Sequence, residues 1–159
     1  MSSTHNGITE QLWSKMLHLY FRMSRGLTLG VRAVVRNESG KFLLVRHTYT
    51  TGWHFPGGGV EPGQTVKEAL AAELRQEANL QIIGKPTLHG VFLNRKVSRR
   101  DHIFVYLCDT EGEVPVTSTS REIAEINFFG VEELPCQIDE GAERRIREIV
   151  RSQNPDDDW

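Results

Sequence analysis

At 159 residues, with 19 Lys+Arg against 21 Asp+Glu and a formal net charge of −2, the chain has the size of one ordinary domain. That balance excludes a protein whose overall field grips nucleic acid or anionic lipid. Hydrophobic residues at 38% and charged residues at 25% exclude a disordered chain, and two cysteines are too few for a disulfide framework, so a reduced, cytoplasmic setting is expected.

The start of the chain lacks the basic opening and apolar run of a secretory signal, and no apolar stretch approaches the roughly 18 residues of a membrane span. From Ile8 to Met23, the residues Leu12, Met16, Leu19, Tyr20 and Met23 share one helical face, with Thr9 as cap and Gly26 as stop. This predicts an N-terminal amphipathic helix within residues 1–26. Lys15, Arg22 and Arg25 would suit a membrane surface. Trp13 and Leu17 broaden the apolar side, however, and favour packing on the domain itself or on a second subunit in a homodimer. The central domain is expected over 27–153. Val31–Val35 and Lys41–Val45 read as short strands joined by a hairpin-like turn at Asn37–Gly40. A glycine-rich loop follows at Pro56–Gly59 and Pro62–Gly63.

Thr65 and Glu68 form a T-x-x-E capping box, and Val66, Ala69, Leu70 and Leu74 then recur at helical spacing, predicting a helix from Thr65 to about Asn79. Strand-like runs follow at Leu80–Ile83, Leu88–Leu93, Ile103–Cys108 and Ile126–Phe129, and a last amphipathic helix at Gly141–Arg151. The acidic tail, 154–159, is expected to fray. Strands mixed with two or three helices in this order predict an α/β fold with helices on both faces of a mixed sheet.

The chemistry concentrates between Gly57 and Asn79. Glu73 and Glu77 are i and i+4, so their carboxylates leave the helix on one face and repel unless a cation lies between them. Magnesium suits that arrangement, because it takes oxygen ligands and often needs only one or two carboxylates plus substrate phosphates. Paired glutamates are also what an ordinary solvated helix face carries. The glycine loop, which brings backbone close without Cβ interference, and the capping box shift the balance toward a site. His47, His54, His89 and His102 have no zinc-ligand spacing with the cysteines. Each reads as a partly buried polar residue, with Trp53 and Phe55 as core or base-stacking residues.

This segment resembles the box of the Nudix hydrolase family, G-x5-E-x7-R-E-U-x-E-E-x-G-U with U apolar. Gly58, Glu73, Leu74, Glu77 and Leu80 match; Gln64, Ala72, Gln76 and Asn79 depart. Trp53–Gly58 before the box and Glu122–Phe129 with Glu132–Pro135 after it look like Nudix flanks. The resemblance implies a Nudix-type α/β/α sandwich with a mixed central sheet. It also implies hydrolysis of a nucleoside diphosphate-linked substrate with Mg²⁺ or Mn²⁺. Carried over residue by residue, Glu73, Glu77 and the Gly58 carbonyl would hold the metal, and Gln76 could still ligate through its amide oxygen. Glu73 or a glutamate outside the box would orient or deprotonate the attacking water. Glu122 and Glu125 are the candidates, and Glu125, beside the Ile126–Phe129 strand, is preferred. Arg99 or Arg100 in the basic loop Arg95–Arg100, together with His54 beside the glycine loop, would bind substrate. Gln76 for a carboxylate lowers the site's negative charge, and loss of the Gln64/Ala72 charge pair loosens Glu73, so a reduced rate is expected. The alternative is a non-catalytic module that binds a nucleotide or sugar nucleotide.

Overall fold

The computed structural model describes residues 15–17, 20, 26–115 and 122–159. Residues 15–17 and Tyr20 are helical; the rest of the expected N-terminal helix lies outside the described residues. The elements run β1 (Thr28–Val35), β2 (Phe42–His47), α1 (Val66–Ala78), β3 (Gln81–Leu93), β4 (Asp101–Glu111), β5 (Ile123–Phe129) and α2 (Glu140–Arg151). One sheet has the order β1-β4-β3 and the other pairs β2 with β5. β1 runs parallel to β4, whereas β3–β4 and β2–β5 are antiparallel. The mixed α/β architecture follows from the sequence pattern, and two of its details do not.

The first is the expected hairpin between the opening strands. The chain does turn at Asn37–Gly40, where Asn37 Oδ1 accepts from Lys41 N at 2.9 Å. β1 and β2 nevertheless share only the isolated bridge Arg36–Phe42 and enter different sheets. The reason is visible in their composition. Val31, Ala33, Val34 and Val35 in β1 and Phe42, Leu43, Leu44 and Val45 in β2 are all buried, so both faces of each strand must be covered, as in interior strands. The second is β3, which is one strand of 13 residues rather than two. Its register slips between Ile83 and Thr87 and between Leu88 and Gly90. Pro86, which cannot donate to a ladder, falls in the first slip, and this broke the alternation in the sequence.

Two apolar layers hold the helices. Val31, Ala33, Val35 and Leu43 pack with Leu70, Leu74 and Ala78 of α1. On the other side Val34, Phe42, Leu44, Phe55, Phe92 and Val105 pack with Ala142 and Ile146 of α2. Alternation along β1 therefore assigns its odd positions to α1 and Val34 to α2. Leu70 and Leu74 are fully buried, a burial worth about 1.5–3 kcal/mol for each. No helix among the described residues is long and apolar enough to cross a membrane.

The glycine loop stitches the two sheets together. Gly58 O accepts from Val31 N and Pro56 O from Ala33 N, at 2.9 and 2.8 Å, so the loop lies beside β1. At its other end His54 and Val45 exchange both backbone bonds with β2. The tail, expected to fray, is instead docked: Leu93 N donates to Asp157 O at 2.9 Å and Trp159 N to Leu93 O at 3.1 Å. Trp159 packs in the α2 layer. A single large aromatic at the end of a polar stretch supplies the anchor that composition alone conceals.

Candidate active site

The site is built where α1 meets the glycine loop. Thr65 caps the helix in a complete capping box: Glu68 N donates to Thr65 Oγ1 at 3.2 Å and Thr65 N to Glu68 Oε2 at 2.8 Å. These bonds hold the Glu68 carboxyl below the usual range, the backbone N–H being the larger cause. At the other end Asn79 takes the left-handed conformation, φ 56°, and its N–H bonds back to Arg75 O and Leu74 O. Asn tolerates this conformation where the family box has glycine. Between the caps, burial of Leu70 and Leu74 directs Glu73 and Glu77 toward the loop.

Glu77 is held by both oxygens. Oε1 accepts from His47 Nε2 at 2.6 Å and Oε2 accepts from Gly57 N at 2.7 Å. Its side chain is 9% exposed and that of His47 7%, so this is a buried, charge-assisted brace joining α1, β2 and the loop. Gly57 has φ +147°, and a Cβ there would strike Val31 O. A Cβ on Gly58 would run into the Glu73 carboxylate. Glycine at 57 lets the loop pass this close to β1, and glycine at 58 leaves the Glu73 carboxylate its place.

Glu73 contrasts with Glu77. It is half-buried and has no hydrogen bond among the described residues. Burial raises its pKa above the ordinary carboxylate value, the Glu77 charge raises it further, and Glu122 adds to this; Arg32 and His47 oppose the shift. Three carboxylates thus act on one another across the loop, with Arg32 the strongest opposing charge.

A cleft of about 300 Å³ opens over the glycines. Gly57–Gly59 line it together with Arg32, His47, Tyr49 and His54, and Asn94, Val97 and Asp101 form the facing wall. Burial lowers the His54 pKa, and its Nε2 donates to Thr51 O at 3.0 Å. The exposed Tyr49 ring lies 5.1 Å from His47, and its phenol is pushed up by desolvation and then by Glu77 and Glu122. A larger hollow, about 810 Å³, lies between Arg36, Glu113 and Phe128. None of Arg32, His47 or the glycine loop that touches Glu73 and Glu77 lines it, so chemistry and not size marks the site.

The structure brings Glu73, Glu77, Gly58 and His54 together and separates other expected residues from them. Glu125 lies apart from them: it pairs with Arg46 across the β2–β5 ladder. Its neighbour Ile126 packs in the α1 layer, so alternation turns Glu125 to the opposite side. The outside glutamate that reaches Glu73 electrostatically is Glu122, whose carbonyl accepts from Thr48 N. The Gly58 carbonyl is engaged by Val31 N, while the Gly57 N–H is the loop group directed to the carboxylates. Arg99 and Arg100 are exposed and do not line the cleft. Their neighbours Arg95 and Lys96 are paired with Asp158 and Glu140, so the basic loop faces α2 and the tail. Gln76 is exposed, and Gln64 turns back to accept from Glu61 N at 3.2 Å, bracing the loop locally.

Arg32 and Tyr49 are the residues that sequence reasoning missed, and His47 was read only as a partly buried polar group. The signal for Arg32 was a single charged residue between Val31 and Ala33, both fully buried. Such a residue must face away from their layer.

The residues present fit a divalent cation. A desolvated carboxylate without a hydrogen bond, raised in pKa by two others, is relieved by positive charge. Among the described residues no three His, Cys, Asp or Glu side chains form a ready cage. The ion that suits this donor set completes its shell from water and phosphate, as Mg²⁺ does.

The NUDIX domain model matches residues 26–152. An RNA pyrophosphohydrolase of Coxiella burnetii is 38% identical over 73 residues, 45% of this chain and 32% of that protein. The chain thus spans about a third of that relative's length. A Bacillus subtilis protein provisionally named an 8-oxo-dGTP diphosphatase is 28% identical over 122 residues, 77% of this chain and 79% of that protein. Among solved structures, the MutT NUDIX hydrolase of Burkholderia pseudomallei superposes with a TM-score of 0.66 at 20% identity, covering 77% of this chain and 97% of that one. With the match spanning β1 to α2 and the glycine loop, Glu73 and Glu77 inside it, the chain belongs to the Nudix hydrolase family.

Proposed function

We propose that the protein hydrolyses a diphosphate linkage in a small nucleotide, using Mg²⁺ or Mn²⁺. The observation that carries this reading is Glu73, a half-buried carboxylate with no hydrogen bond among the described residues, raised in pKa by burial and by Glu77 and Glu122, against Gly58 of the loop that lines the cleft. A bound ion would screen the carboxylates from the diphosphate and activate water. Glu73 and Glu77 would hold it, with Gln76 able to add its amide oxygen only if the exposed side chain turns inward. Glu122 replaces Glu125 as the outside group that orients or accepts a proton from water. Arg32 faces the cleft as the cation for phosphate oxygens, a role first assigned to Arg99 and Arg100. Tyr49 and His54 offer ring faces and edges to the rest of the nucleotide. A cleft of about 300 Å³ is in keeping with a mononucleotide-sized ligand. The Bacillus relative, which aligns along most of both chains, supports a free nucleotide over the end of an RNA as substrate. Free Cys108 and Cys136 suit a reducing, cytoplasmic setting.

A second reading, a nucleotide-binding module without turnover, is favoured by one observation. Both oxygens of Glu77 are already hydrogen-bonded, and Gln76 supplies no third carboxylate. Titration with Mg²⁺ and Mn²⁺ over a panel of nucleoside di- and triphosphates separates the two. The hydrolase reading expects metal-dependent release of phosphate or pyrophosphate that Glu73→Gln abolishes. Nucleotide binding with no release at any metal concentration, in the native protein and in Gln76→Glu alike, would establish the module instead.

A further inference from the structure

The turn between β3 and β4 supplies one wall of the cleft, and its anchorage lies outside the site. Within the turn, Asn94 N donates to Asp101 O at 2.8 Å and Asn94 Nδ2 to Asp101 Oδ2 at 2.9 Å. Asp101 also accepts from Thr28 Oγ1 at 2.7 Å. Asn94, Val97 and Asp101 face the cleft. The residues between them are held from behind. Leu93 bonds the tail through both its N–H and its carbonyl. Arg95 Nε donates to Asp158 Oδ1 at 2.8 Å and Lys96 Nζ to Glu140 Oε2 at 2.6 Å.

The tail in turn is fastened to α2. Arg145 Nη1 donates to Asp158 O at 3.1 Å. The Trp159 indole lies over Gly141, where an added Cβ would collide with its ring, and its centroid is 6.1 Å from that of Phe92. Two exposed ion pairs alone would contribute little. The backbone bonds at Leu93 and the indole seated on Gly141 are the firm connections.

We propose that Asp157–Trp159, seated on Gly141, act as a strap that positions the Asn94–Asp101 wall and thereby tunes substrate binding. Trp159 is a positioning residue: it does not line the cleft and works through Leu93. The functional half of this statement rests on the reading of the cleft as a nucleotide site; the structural half does not.

Gly141→Ala inserts a methyl under the indole while favouring the helix that carries it, and Trp159→Ala removes the anchor itself. Hydrogen exchange at Leu93, Asn94 and Asp101, read in the native protein and both variants, reports strap and wall. Steady-state kinetics on the best nucleotide of the panel report the site. Faster exchange at all three amides is expected, with KM raised about fivefold and kcat unchanged. A merely structural role lowers the melting temperature and the active fraction without moving KM. Release of Leu93 with Asn94 and Asp101 still protected, or release of all three with KM unaltered, overturns the proposal. If the native protein turns over no nucleotide, the hydrolase reading fails and the exchange of Asn94 and Asp101 alone decides whether strap and wall are coupled.

Discussion

The two helices carry similar charged side chains and treat them in opposite ways. On α2 most charges are matched by neighbours among the described residues. Arg145, fully buried, bonds Glu148 at 2.6 Å and lies 4.0 Å over the Phe92 ring. Glu143 pairs with Arg147, Glu140 with Lys96, and Glu148 also meets His89. On α1 Glu68 is taken up in the cap and Glu77 is bonded through His47 and Gly57, while Glu73 is left desolvated and without a hydrogen bond among the described residues. Matched charges make α2 a structural anchor. Unmatched charge on α1 is an electrostatic cost that an external cation would relieve, which is the ground for the site proposed at that helix.

The strongest way to break this contrast is to neutralise Glu73. Glu73→Gln should lower metal-dependent turnover by roughly 10²–10³-fold, read as kcat at saturating metal. The same substitution should raise the melting temperature of the metal-free protein at neutral pH. Because the folded-state pKa of Glu73 is raised, native stability is greatest with the group protonated and declines as pH rises through that raised value. A neutral glutamine avoids the decline, so the gain should vanish in acid. On α2 the opposite is expected: Arg145→Ala takes the guanidinium away from Glu148 and from the Phe92 ring and should cost about 3 kcal/mol, measured by urea unfolding, with kcat per folded molecule retained.

Smaller effects sharpen the comparison. Gln76→Glu adds a carboxylate to the side of α1 that lacks a cation and should tighten Mn²⁺ about tenfold, or ~1.4 kcal/mol, by paramagnetic relaxation titration. Thr65→Ala removes the cap and should cost about 1 kcal/mol. Glu68 has a lowered pKa, so its contribution is present above the ordinary carboxylate value and lost as pH falls through the lowered one. The native–variant difference in melting temperature should therefore narrow in acid. Glu125→Gln breaks only an exposed pair with Arg46 and should change stability by less than ~0.5 kcal/mol. Its kcat should stay native, whereas Glu122→Gln lowers it.

Much of α1 was legible from residue order because its determinants are local. The capping box spans four positions, the apolar spacing of Leu70 and Leu74 sets the buried face, and i,i+4 spacing puts Glu73 and Glu77 on one side. What lies across the chain from them was not legible. Glu122 and Glu125 are equally acidic and three residues apart; only pairing with β2 turns Glu125 toward Arg46. Arg99 and Arg100 looked suited to phosphate until the neighbouring basic residues were matched with Asp158 and Glu140, leaving Arg32 as the cation over the glycines.

The amino-acid sequence by itself therefore determined the α/β class, the capped helix, the glycine loop and the paired glutamates, all of which depend on neighbours within about two turns. The tertiary structure alone decided which charges meet. His47 comes to Glu77 from 30 residues away, and Asp158 to Arg95 from 63. The physical reason is that burial and charge pairing are properties of packed surfaces, and a surface exists only once the sheets have formed between the two helices.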